Sequence, residues 1–287
     1  MGMQINTNIS ANNAYRSLSN TQNALAKSME KLSSGLRINR AADDAAGLAI
    51  AEGLRSQVNG NTVAARNAQD GISVIQTAEG ALTEVHSILQ RMRDLSVQAG
   101  NDSNNTESRD AIKTELDGLA SELNRIGANT SFNGINLMDG STKSFQVGTN
   151  GNTATDVSNI IEVDLTDLAT ALAGVVTLET TGADLTADIT VDTQANAALA
   201  IEAIDTAIKE ISTSRAELGA KQNRFESAIN SLNISKENLS AAESRIRDTD
   251  MAAEMVNYTR SNILSQAGTA MLAQANQSGQ GVLQLLR

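Results

Sequence analysis

The chain has no cysteine, no proline and no tryptophan, and only 2% of its 287 residues are aromatic. Without cysteine there is no disulfide framework, no thiol nucleophile and no thiolate metal site. Average usage would place roughly 14 prolines in a chain of this length. Proline removes a helix hydrogen bond and clashes with the preceding turn, so its absence suits long unbroken helices. Large aromatic side chains dominate ordinary cores, and here there are three Phe and two Tyr. The 40% apolar content therefore lies mainly in Ala, Leu, Ile and Val, which suits thin helix-on-helix seams better than a thick globular core. A net charge of −11 argues against a nucleic-acid backbone or an anionic membrane as partner. No apolar run approaches the roughly 20 residues of a membrane span, so membrane insertion is not expected. The start, MGMQINTNISANNAYRS, has neither a basic n-region nor an apolar h-region, so no secretory signal peptide is expected.

What the chain does have is helical period, and it is most regular at the two ends, where chains usually fray. Leu18, Leu25, Met29, Leu32 and Leu36 are spaced like a coiled-coil seam. The stretch from Met251 to Arg287 carries Met255, Ile263, Met271, Leu283, Leu285 and Leu286 among small and polar residues. Two such termini on one chain pair with each other, with other copies, or with both, which points to assembly rather than catalysis. Small and polar residues crowd both helices, and packing many copies around an axis would use several faces of each.

The interior repeats the pattern. SSGLRINRAADDAAGLAIAEG (33–53) is rich in Gly and Ala and reads as a joint between helices. From Leu54 to Met92 the apolar positions advance by 3, 4 or 7, a seam of about 40 residues and roughly 60 Å. GNDSNNTESRD (100–110) ends it, and a shorter helix follows with Ile112, Leu116, Leu119, Leu123 and Ile126 in register. Asn133-Gly134 and Asn150-Gly151 are hairpin dipeptides, and Leu185 to Val191 alternates at period two, so residues 141–192 are expected to form short strands and turns. A last long helix spans about 196–247, and after RDTDMAAE (247–254) Thr249 or Asp250 caps a new one, with Glu254 near its positive end. The fold class expected is mainly α: a long antiparallel coiled-coil or helix-bundle rod with a small β-hairpin region in the middle of the chain. Its inner terminal domain would comprise 1–44 with 246–287. The remainder, 45–245, would hold helices at 45–128 and 195–245 and hairpins within 130–193.

Signals for chemistry are weak. His86, the one histidine, borders the stripe at Val85 and Leu89 and reads as a seam-flanking or surface residue, since a general base needs a partner and a pocket. Asp43-Asp44 suits the helix joint or a subunit contact better than a hard cation. There is no phosphate loop and no HExxH motif. No catalytic residue, metal site or cofactor is expected.

Longer stretches carry a resemblance to a known family. QINTNISANNAYRSLSNTQNALAKSMEKLSSGLRINRAADDAAGLAIAEGLRSQVNG (4–60) resembles the N-terminal half of bacterial flagellin, and SRIRDTDMAAEMVNYTRSNILSQAGTAMLAQANQSGQGVLQLLR (244–287) its C-terminal half. LQRMRDLSVQAGN (89–101) and FNGINLMDG (132–140) are similar to segments of the family's rod domain. The likeness covers roughly 1–140 and 195–287, and the middle is that of a short form without large outer domains. The resemblance implies a non-enzymatic filament subunit for motility, secreted unfolded through the flagellar export apparatus to an extracellular flagellum. Its terminal helices would become ordered on polymerising and line the filament core. A cytoplasmic export chaperone for the C-terminal segment is implied, as are junction and cap proteins. So is the vertebrate toll-like receptor for flagellin, whose contacts map to Gln90, Arg91, Leu95, Gln98 and Glu115; one family arginine falls at Leu119 here. An arginine beside an apolar residue suits an interface hot spot, and the native task read for this patch is packing against the next subunit. The alternative is a hook–filament junction protein, which shares the terminal helices but does not polymerise indefinitely.

Overall fold

In the computed structural model, residues 8–149, 158–176 and 189–285 are described, with side chains as far as Gln277. Each helix boundary has a local cause. Helix α1 (Ile9–Ser34) starts where the Asn8 side chain accepts the Ala11 N–H, and it ends at Gly35 with φ +73°, a left-handed cap in which the glycine N–H reaches the Lys31 carbonyl. Helix α2 (Ala45–Ala99) runs for 55 residues without a proline to break it. Asp44 accepts the Gly47 N–H at its start. The joint is therefore confined to residues 35–44, and the Ala-rich segment from Ala45 onward is already helical.

After the 100–105 loop, α3 (Thr106–Asn129) is capped by Asn105. Two small antiparallel hairpins follow among the described residues. In the first, β1 (Ser131–Phe132) turns into β2 (Ile135–Asn136) through Asn133 and Gly134, both at positive φ. Only residues tolerant of the left-handed region close such a two-residue turn. In the second, β3 (Thr142–Gln146) pairs with β4 (Ile160–Asp164), with Phe145 opposite Ile161.

One part of the middle departs from the expected strands and turns. Leu168–Ala171 forms α4, a single helical turn, because Asp167 supplies an N-cap to Ala169. Asn150-Gly151 and residues 185–188 lie outside the described residues. Ile189 and Val191 are buried around exposed Thr190, which keeps the period-two burial, but they belong to no described strand. Helix α5 (Gln194–Arg247) and helix α6 (Met251–Leu285) complete the chain. Asp250 makes the cap, accepting the N–H groups of Ala252 and Ala253.

By contacts the chain divides into two units, 1–58 with 237–287 and 59–236. In the second, α2 and α5 are antiparallel: Arg93 pairs with Asp205, Glu79 with Arg215, and Gly71 lies on Phe225. Its core is a seam of Ile75, Leu82, Leu89 and Met92 with Leu116, Leu123, Ile204, Ile211 and Phe225, closed at the hairpin by Val163. Phe225 stands edge-on to Phe145, ring centroids 5.6 Å apart, the arrangement the ring quadrupoles favour.

Candidate assembly surface

The terminal unit is built on α1 against α6. They run antiparallel, since Asn8 donates to the Ala275 carbonyl, Leu18 packs on Gly268, and the Thr249 N–H reaches the Gly35 carbonyl. On α1 the face turned inward follows a strict 3–4 spacing through Ala11, Ala14, Leu18, Thr21, Leu25, Ser28 and Leu32. Leu36 is half-buried just beyond it. On α6 the inward face is Tyr258, Ser261, Asn262, Ser265, Gly268, Leu272 and Ala275.

On α6 the inward face is mostly small and polar, Tyr258 and Leu272 apart, while most of the helix's large apolar side chains are outside. Met255 is 50% exposed, Ile263 60% and Met271 63%, with Val256 and Leu264 exposed beside them. The residues at 255, 259, 263, 267 and 271 advance by four and so form one ridge. Met255, Val256, Thr259, Arg260, Ile263 and Leu264 line an open apolar groove of about 470 Å³. On α1, Met29 also points away from the seam, with Tyr15 and Ile9. Fully burying an exposed side chain of this size contributes about 1.5–3 kcal/mol, so five half-exposed ones on α6 represent gross burial of roughly 5 kcal/mol or more left unused. Of the candidate assembly residues, Leu18, Leu25, Leu32 and Leu36 are taken up inside the chain, whereas Met29, Met255, Ile263 and Met271 are not. Leu286 lies outside the described residues, as do the side chains of Leu283 and Leu285.

The two helix breaks are clasped together. Leu36 and Asp248 form an antiparallel bridge, the Arg37 N–H donates to the Arg247 carbonyl at 2.6 Å, and the Arg37 guanidinium donates to the Ile246 carbonyl. Arg247 in turn reaches Glu52 at 2.9 Å. Asp43 accepts from the N–H groups of Asn39 and Arg40. These hydrogen bonds, Arg40's foremost, hold its carboxyl below the usual aspartate range. Both acidic residues of the joint are thus engaged in the turn and the α2 cap. The clasp and the small-residue seam escape sequence reading, because Thr21, Ser28 and Gly268 carry no apolar signal and the bridge joins residues more than 200 positions apart.

In the other unit, Arg91 Nε and Nη2 both donate to one Glu115 oxygen, at 2.9 and 2.6 Å. Gln90 meets His86 at 3.0 Å, and Gln98 is exposed. Leu95 is 2% exposed and belongs to the core, so its side chain is not on the patch surface. Leu119 is half-buried. No group of three or more potential metal-ligating side chains occurs among the described residues. No described helix is long and apolar enough to cross a membrane.

Charge is segregated as well. Residues 1–58 and 237–287 hold 10 Lys and Arg against 9 Asp and Glu, whereas residues 59–236 hold 12 against 24. The terminal unit is therefore nearly neutral, which removes long-range repulsion from packing its copies side by side.

An outward row of large apolar side chains on one helix is the kind of exposed patch that marks a protein–protein or membrane contact. Comparison with known proteins names the family. The model for the bacterial flagellin N-terminal helical region matches residues 5–143, and that for the bacterial flagellin C-terminal helical region matches 201–286. The chain belongs to the bacterial flagellin family. It is 52% identical to a flagellin of Halalkalibacterium halodurans, over 99% of this chain and all of that one. It is 48% identical to the flagellar filament 33 kDa core protein of Treponema phagedenis, over the same shares. Among solved structures, a putative flagellar hook-associated protein from Vibrio parahaemolyticus aligns over 72% of this chain and all of that one, with TM-score 0.56 and 14% identity, a likeness of fold. The family is structural, not enzymatic.

Proposed function

We propose that the chain is the structural subunit of a bacterial flagellar filament, and that α1 and α6 complete their packing there against the same helices of neighbouring copies. The observation that carries this is the inverted α6, with Ser265 and Gly268 turned inward and Met255, Ile263 and Met271 turned out. Identical subunits joined by heterologous contacts that do not close on themselves make a helical polymer. The segments 1–44 and 246–287 form the inner domain of that polymer and 45–245 the surrounding one. The subunit is exported unfolded to the extracellular flagellum, and the cost of ordering its ends is met at the growing tip, where many surfaces are offered at once. A chaperone covers the C-terminal segment before export, and junction and cap proteins bound the filament at its ends. The 52% identity over the full length of a flagellin supports a filament subunit rather than a hook–filament junction protein.

The test is electron microscopy of concentrated protein with and without filament seeds, beside a chain lacking residues 275–287. Filaments from the full chain alone support the reading; normal filaments from the truncation would sink it.

The exposed Arg91–Glu115 pair, with Gln90 and Gln98, supports a second role as a contact to the next subunit and to the vertebrate toll-like receptor. Arg91→Ala should reduce both receptor activation and filament formation. Unchanged activation removes the arginine from the receptor site.

A further inference from the structure

The described methionines divide sharply. Met92 and Met138, in the 59–236 unit, are 0% and 4% exposed. Met29, Met251, Met255 and Met271, in the terminal unit, are all about half exposed or more. The buried thioethers are shut off from solvent oxidants, and the terminal ones are open to them. Met29, Met255 and Met271 are among the residues proposed above for the assembly surface.

We propose that Met29, Met255 and Met271 are oxidation sites of the unassembled subunit, and that converting them to sulfoxides makes the chain unable to join a filament. The reading rests on the assembly surface proposed above. The co-reactant is a peroxide. A sulfur lone pair attacks one peroxide oxygen, the S–O bond forms and the O–O bond breaks. The thioether loses two electrons, and the departing hydroxide takes the proton of the sulfur-bound OH, leaving the sulfoxide and water. The product is a polar, chiral side chain with a strong acceptor oxygen where an apolar one stood. Burying that oxygen against a neighbour requires a donor. Around Met255 the Thr259 hydroxyl already donates to the Met255 carbonyl at 2.8 Å, which leaves Arg260 as the donor in the groove. The damage is reversible by a sulfoxide reductase, so the effect is a switch on assembly competence. Once a neighbour covers the ridge, the same sulfurs are protected.

The experiment treats the purified full-length chain with hydrogen peroxide, maps sulfoxides by peptide mass spectrometry and adds the protein to sheared filament seeds. Expected are oxidation of Met29, Met255 and Met271 at least about tenfold faster than Met92 and Met138, loss of seeded elongation, and its recovery after sulfoxide reductase. For the variant M29L/M255L/M271L, taken against its own untreated rate, peroxide should leave elongation unchanged. Oxidised wild-type chain that elongates at the untreated rate overturns the proposal. So does the triple variant losing elongation under peroxide as wild type does. If that variant fails to elongate before treatment, reductase recovery of the wild type decides, supporting the proposal when present and overturning it when absent. Untreated chain that never elongates seeds overturns the assembly reading itself, and with it this one.

Discussion

Leu18 lies against Gly268 so closely that a Cβ on the glycine would stand 3.2 Å from the leucine Cδ1. Two effects then oppose each other. Gly268→Ala gains about 1 kcal/mol of helix propensity and meets a methyl group that can move aside. Gly268→Leu forces α1 away, at about 1–3 kcal/mol. Seeded elongation should survive Gly268→Ala and be lost for Gly268→Leu, and filaments of the Ala variant, followed by circular dichroism, should melt close to the parent's temperature.

The clasp makes a separate prediction. Gly35 sits at φ +73°, and a Cβ on it would meet nothing within 4 Å, so a side chain there costs strain alone, about 1–2 kcal/mol for alanine. In assembled filaments, hydrogen exchange at the amides of Arg37 and Thr249, which donate across the break to Arg247 and Gly35, should accelerate in Gly35→Ala. Gly35→Asn, which tolerates that region better, should accelerate it less.

Phe225 is fully buried and fills the space left by the missing side chain of Gly71. Phe225→Ala should cost about 3–5 kcal/mol. Gly71→Ala should also destabilise, since its methyl would stand 2.8 Å from the ring. A calorimetric melt of each variant checks both, with Phe225→Ala expected to melt at the lower temperature.

Acid should act on the joint through Asp43. Its carboxyl is held below the ordinary 3.8 chiefly by the Arg40 N–H, with Asn39 adding to it. A carboxyl lowered on folding contributes stability that is present above its unfolded pKa and lost as pH falls through the folded one. Carbon NMR titration of the side chain should give a midpoint below 3.8. Asp43→Asn should weaken the acid dependence of exchange at the neighbouring amides.

The long helices are legible in the sequence because apolar residues at Leu82, Leu89, Leu116 and Leu218 mark the inward side of α2, α3 and α5, and because no proline interrupts them. The first hairpin is legible from Asn133-Gly134, whose backbone conformation few other pairs adopt. The turn at Leu168–Ala171 is not, since its cap is one Asp167 in a stretch rich in β-formers. The stripes mark α1 and α6 as amphipathic, but which face of α6 turns inward depends on Ser265 and Gly268, residues that no hydrophobic pattern selects. Leu95 carries two signals, and its burial follows the seam spacing of Leu89 and Met92 rather than the surface patch.

In the proposed filament the outer face of α6 belongs to neighbouring copies rather than to the fold of the single chain. Val256→Asp with Ile263→Asp places two charges on that face without touching the Leu18–Gly268 seam. Seeded elongation measured by light scattering, with helix content checked in parallel, tests it most directly. The expected result is a chain with the parent's helix content that does not elongate seeds. Elongation at the parent's rate would contradict it.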